Sequence, residues 1–125
     1  MSPYGDFLGI QIDELSAGRA VCSMTLMDHH LNNGGRVHGG VLTSLADTAA
    51  GAAVRTMRPA GKASATTDLN VAFIRPPSGD TLVAIAQVIY AGKALFRTEI
   101  TVNSDNKLVA RANATFMIVS PLANS

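Results

Sequence analysis

The sequence contains no tryptophan and a single cysteine, Cys22, and only 5% of its residues are aromatic. With so few large rings, the interior must be filled by Ala, Val, Leu, Ile and Met packed closely, with glycine allowing near backbone approach. One cysteine cannot close an internal disulfide, so no covalent staple is available and the expected compartment is a reducing cytoplasm. Charge is scarce as well: charged residues make up 15% and the net charge is +1. A nucleic-acid partner calls for a concentrated basic stripe that displaces counterions from phosphates, and here Lys and Arg are scattered singly, so that class is excluded. No apolar run approaches the ~18 residues of a membrane span, and the N-terminus lacks the charged-then-apolar order of a signal peptide. Absent too are the Gly-x-Ser-x-Gly elbow, the Gly-x-x-x-x-Gly-Lys-Ser/Thr phosphate loop and the Gly-x-Gly-x-x-Gly fingerprint. Serine hydrolases, nucleotide hydrolases and dinucleotide enzymes are disfavoured accordingly.

What is present is a chain of 125 residues, 47% of them apolar. That size predicts one domain over residues 1–125, and so apolar a surface predicts burial in an oligomer. Residues 3–9 suggest a short helical turn, and Ile10, Ile12 and Leu15 lead into a first extended segment. Residues 19–27 alternate Cys22, Met24 and Leu26 against Val21, Ser23 and Thr25, the period of a half-buried strand. Residues 28–40, rich in Gly, Asn and His, form a shaped loop. From Val41 to about Met57 the apolar residues follow helical spacing, and Arg58-Pro59 with Gly61 stops the helix. Four strands follow, at 64–75, 80–91, 94–104 and 108–119, joined by short links that predict antiparallel neighbours. In the last, Leu108, Ala110, Ala112, Ala114, Phe116 and Ile118 share one face. One helix followed by an antiparallel meander is an α+β arrangement in which the sheet curls around the helix. Its open edges predict a homodimer with a continuous sheet.

Asp47 stands out because it lies mid-helix among small apolar residues, with no Lys or Arg three or four positions away. A carboxylate stripped of water in this way is a common catalytic acid or base; the plainer reading is a side chain that faces solvent or pairs across a subunit contact. Just upstream, His38-Gly39-Gly40 runs directly into the helix, aiming free main-chain N–H groups and the positive end of the helix dipole at any approaching anion. Donors so placed stabilise the oxyanion of an attacked thioester carbonyl, although glycines at a helix entry also simply serve the turn. Asn32 and Asn33 in the same loop either orient a water or substrate through their amides or act as turn residues. Asp28, His29, His30 and His38 raise the possibility of zinc, which adjacent histidines and the absence of a His-x-x-x-His spacing argue against; no metal is expected. Cys22, without a basic neighbour, reads as core.

The run from Leu31 to Ala49, with Asn32, then His38-Gly39-Gly40, then Asp47 within the helix, resembles the signature of the PaaI-like hotdog-fold acyl-CoA thioesterases. The resemblance continues through Thr67-Asp68-Leu69-Asn70, Phe73-Ile74-Arg75-Pro76, Gly79-Asp80 and Ala91-Gly92-Lys93. It implies a hotdog fold: a strongly curved antiparallel sheet around one long helix, in dimers usually paired again into a homotetramer, with active sites at the dimer interface. It further implies hydrolysis of an acyl-CoA to free acid and coenzyme A without a cofactor. Asp47 would be nucleophile or general base, Gly39 N–H the oxyanion donor, and Asn32 would place the water or carbonyl. His38 would support the turn, and Thr66 would supply a hydroxyl from across the interface that holds the water. Arg75, Lys93 and Arg97 are the basic residues expected to meet the coenzyme A phosphates. Rival readings on the same scaffold are a non-catalytic acyl-CoA binding protein, which needs no uncompensated carboxylate at that turn, and a hydratase or dehydratase pairing His38 with Asp47.

Overall fold

The structure, a computed structural model, describes residues 1–122; the last three residues of the expected domain lie outside it. The chain opens with a short helix, α1 (Pro3–Leu8), capped by Ser2, whose Oγ accepts from Gly5 N–H at 3.0 Å, and ended by Gly9 at φ 82°. The extended segment after it is a true strand, β1 (Gln11–Ser16), which pairs with β2 (Arg19–Thr25). A 3₁₀ turn at Asp28–His30 leads through the glycine-rich loop to the long helix α2 (Gly39–Arg55). Then come β3 (Ala63–Phe73), β4 (Thr81–Ala91), β5 (Leu95–Ser104) and β6 (Lys107–Val119).

α2 begins two residues earlier than its apolar periodicity predicts because His38 caps it: the ring Nδ1 accepts from Gly40 N–H at 2.8 Å. Its buried side, which includes Leu42, Leu45, Ala46, Ala49, Ala53 and Val54, packs on the inward faces of the sheet. The sheet curls around α2 as expected and leaves a half-buried stripe of Thr43, Ser44, Asp47, Thr48 and Gly51 on its open side. Cys22 is fully buried opposite Ala84 on the helix side of the sheet, as a small core residue should be.

All six strands belong to one antiparallel sheet in the order β1-β2-β4-β5-β6-β3. The β5–β6 hairpin turns on Asp105 and Asn106, both at positive φ (52° and 61°), which matches the right-handed twist of the strands it joins. The expected continuous meander is interrupted at one place: β3 and β4 are not neighbours. β3 leaves to the far edge beside β6, and residues 74–80 carry the chain back over the ends of β6 and β5 to β4. Three strand spacings amount to ~14 Å, well within the reach of a seven-residue link stiffened by Pro76 and Pro77. Both edges, β1 and β3, are open. Among the described residues no helix is long and apolar enough to cross a membrane.

Candidate active site

The predicted residues form two groups along α2, one at its start and one near its middle. In the loop, Asn32 Oδ1 accepts from the N–H groups of Gly34 (2.9 Å) and Arg36 (3.1 Å), and the Asn32 main chain donates to Arg36 O at 2.7 Å. Its amide oxygen is thus spent on shaping the loop, and the Nδ2 donors are what it can offer a ligand. His38 Nδ1 occupies the Gly40 N–H, and Val41 N–H bonds to His38 O, whereas Gly39 N–H has no partner among the described residues. Helix geometry gives that first amide no intrahelical acceptor, and the helix dipole adds positive potential there. A Cβ at Gly39 would stand 3.3 Å from Phe73 Cζ, so glycine keeps the approach to this amide open between helix and ring. Asn32 and Gly39 line one cavity of ≈ 320 Å³ together with Arg75 and with Arg36, a residue that the sequence reading passed over.

Asp47 sits two turns further on, where Thr66 Oγ1 donates to Asp47 Oδ1 at 2.8 Å. Thr66 reaches the helix because of a bulge in β3. Leu69, Val71 and Phe73 face inward opposite Ala114, Ala112 and Ala110, and strict alternation from them would turn residue 66 away. The register shift between Thr66 and Asp68 reverses the parity, so Thr66 lies opposite the buried Phe116 and faces α2; Thr67, the extra residue, bonds to Thr115 O at 3.2 Å. Asp47 and Thr66 line a second cavity of ≈ 250 Å³, shared with Arg55, Arg58 and Ser64. Asp47 is half-buried rather than dry.

Within one chain these two groups do not meet. Gly39 and Asp47 are eight residues apart, roughly 12 Å along the helix axis, and they open onto different cavities. A single thioester group cannot touch both groups of one chain. Thr66, expected from across an interface, belongs to the same chain as the Asp47 it holds. The basic residues also separate. Arg75 follows the C-terminal end of β3 near Val109, Lys93 lies in the turn at the opposite end of the sheet, and Arg97 Nη1 is committed to Thr115 Oγ1 at 2.8 Å. Of the loop histidines, His30 is buried with both ring nitrogens occupied, Nδ1 by Met27 N–H and Nε2 at Leu8 O, each at 2.9 Å, so it ties α1 to the loop.

The sequence pattern of the thioesterase superfamily matches residues 34–110. A Halobacterium salinarum protein is 40% identical over 101 residues, which cover 77% of this chain and 66% of that protein, just under two thirds of its length. The Escherichia coli acyl-coenzyme A thioesterase PaaI is 44% identical over 106 residues, or 82% of this chain and 73% of PaaI. The solved structure of the E. coli PaaI protein from the phenylacetic acid degradation operon superposes with a TM-score of 0.88 at 34% identity, covering 95% of this chain and 86% of that one.

Proposed function

The chain belongs to the thioesterase superfamily with the hotdog fold, and on that premise we propose that it hydrolyses an acyl-CoA thioester at a site built from two subunits. The observation that carries this reading is the unpartnered Gly39 N–H at the head of α2 with a Thr66-held carboxylate eight residues along the same helix. A two-fold axis that crosses two copies of α2 in opposite directions near Thr43, midway between them, sets Gly39 of each subunit against Asp47 of the other. The half-buried stripe Thr43, Ser44, Asp47, Thr48 and Gly51 is small enough for such an approach, and the open β3 edge beside it permits a sheet continuous across the axis. Dimers of this kind, or pairs of them, are the proposed assembly, in the cytoplasm.

In this arrangement the thioester carbonyl accepts from Gly39 N–H, with Asn32 Nδ2 beside it, and Asp47 of the partner subunit approaches the carbonyl carbon. Asp47 acts either as general base, taking a proton from water whose oxygen bonds to that carbon, or as nucleophile through a mixed anhydride that water then opens. In both routes negative charge grows on the carbonyl oxygen at the Gly39 amide and the C–S bond breaks. With water as the attacking group the sulfur leaves as coenzyme A with the proton that Asp47 took from the water; in the anhydride route the thiolate leaves first and takes a proton from solvent, and the water that later opens the anhydride returns one. Thr66 fixes the carboxylate's rotamer. His38 contributes by holding Gly40, so that the Gly39 amide alone points outward. Arg36 and Arg75 share the Gly39 cavity and would meet coenzyme A there, whereas Lys93 and Arg97 of the same chain lie outside that cavity. The acyl-CoA substrate agrees with the name of the E. coli relative. The test is Asp47→Asn: thiol release from an acyl-CoA panel is expected to vanish while acyl-CoA binding persists by calorimetry. Equal turnover by the two proteins overturns the assignment of Asp47, and acyl-CoA binding without turnover by either favours a binding protein.

A further inference from the structure

The cavity that holds Asp47 and Thr66 does not end at them. It is lined further along α2 by Gly51 and Ala52, whose lack of bulk leaves a trough against the buried Phe116 ring, and by Arg55, Arg58 and Ser64. A methyl group at Gly51 would already lie 3.6 Å from Phe116 Cε2, so the trough is shallow there. Arg58 is half-buried, and of its five N–H donors one is spent, Nη1 on Ser64 Oγ at 3.3 Å. The ion pair between described residues is Arg19–Glu14, elsewhere on the molecule, and the one carboxylate on this cavity is Asp47, at its other end. A guanidinium drawn partly out of water without an anion is costly, and a bidentate carboxylate is the partner that best satisfies its fork. Arg55, exposed on the same wall, adds a second positive charge.

Resting on the thioesterase reading above, we propose that this trough receives the acyl part of the substrate and that Arg58, assisted by Arg55, selects acyl groups ending in a carboxylate. The substrate class is the coenzyme A thioester of a dicarboxylic acid. From Asp47 to Arg55 the helix advances roughly 12 Å, and the arginine side chains reach back over part of that distance. The space between suits a short dicarboxylic chain rather than a long one.

The experiment compares kcat/KM for adipoyl-CoA with that for hexanoyl-CoA, equal in length and neutral at the far end, in wild type, Arg58→Gln, Arg58→Lys and Arg55→Gln. The wild-type ratio should favour adipoyl-CoA by about tenfold or more, the scale of one hydrogen-bonded charge pair. Arg58→Gln should collapse the ratio towards one, Arg58→Lys should keep part of it, and Arg55→Gln should lower it less. Thermal melts check folding, and the exposed Arg55 supplies the reading if Arg58→Gln does not fold. A wild-type ratio near one, or an Arg58→Gln that slows both substrates alike, overturns this specificity and leaves the thioesterase reading standing. A wild type that cleaves no thioester in a broad panel overturns both.

Discussion

Gly39→Pro isolates a single amide hydrogen. His38 precedes it at φ −64°, ψ 136°, the extended conformation that a following proline requires. Position 39 is the first of the helix, where proline is favoured because its missing N–H has no intrahelical acceptor. The fold therefore loses no hydrogen bond. Phe73 lies 3.3 Å from the new Cβ but is 56% exposed, so its ring can swing outward. Loss of one oxyanion donor corresponds to about 10²–10³ in kcat, with the melting temperature close to wild type. Combined with Asp47→Asn, the variant also reports where the two groups meet. In a hybrid dimer of the two mutants, purified through two tags, one site carries both faults and the other neither, so about half of wild-type activity returns. Were both groups drawn from the same chain, each site would carry one fault and the hybrid would be as dead as its parents. A Gly39→Pro enzyme with wild-type kcat, or an inactive hybrid, refutes the two-subunit site.

Three further outcomes are expected. Thr66→Val should lower kcat/KM about tenfold, the modest end for a hydrogen bond to a charged group because Thr66 is open to solvent, while Thr66→Ser restores it; a serine variant as slow as valine would show that the hydroxyl is irrelevant. His38→Ala removes the cap of α2 and should cost about 1 kcal/mol in urea unfolding, with His38→Asn recovering most of it. Burial, helped by Asp13 and opposed by Arg55, pushes the Cys22 thiol up to about 11. Below pH 9.0, its ordinary value, the thiol is neutral in both states; above that the unfolded chain ionises first, so stability falls as pH rises from 9.0 towards 11, and Cys22→Ala should flatten that fall. Alkylation of Cys22 at neutral pH should accordingly require unfolding.

Much of this architecture is legible in the sequence because burial imposes a period. The apolar spacing of Leu42, Leu45, Ala49 and Ala53 marks α2, and the alanines of β6 mark the face that receives it. Asp47 is legible as a charge where the pattern asks for none. Sheet order is not, since a link that holds two prolines reads as a tight turn whether the chain doubles back or crosses to the other edge. Nor is the parity reversal at Thr67, a local register shift set by pairing with Thr115 and Phe116 rather than by β3's own residues. Arg55, Arg58 and Ser64 escape notice because they meet Asp47 only once α2 and β3 are packed, although Arg55 lies on the same helix two turns beyond it. Arg36 hides among the glycines of its loop, where one basic residue looks like solvated surface.

The crossing that sends β3 to the edge beside β6 also dictates when the Asp47–Thr66 pair can form. Within its own chain β3 pairs with β6 alone, and β6 is the last of the six described strands to be synthesised. While a ribosome is still producing β4 and β5, the segment bearing Thr66 has nothing to anchor it, and Asp47 waits alone on its helix. Loop-closure entropy makes so distant a pairing slow. The Asp47 carboxylate and the Thr66 hydroxyl thus come together only as the sheet is completed, so Asp47 gains its hydrogen-bond partner at the last stage of folding.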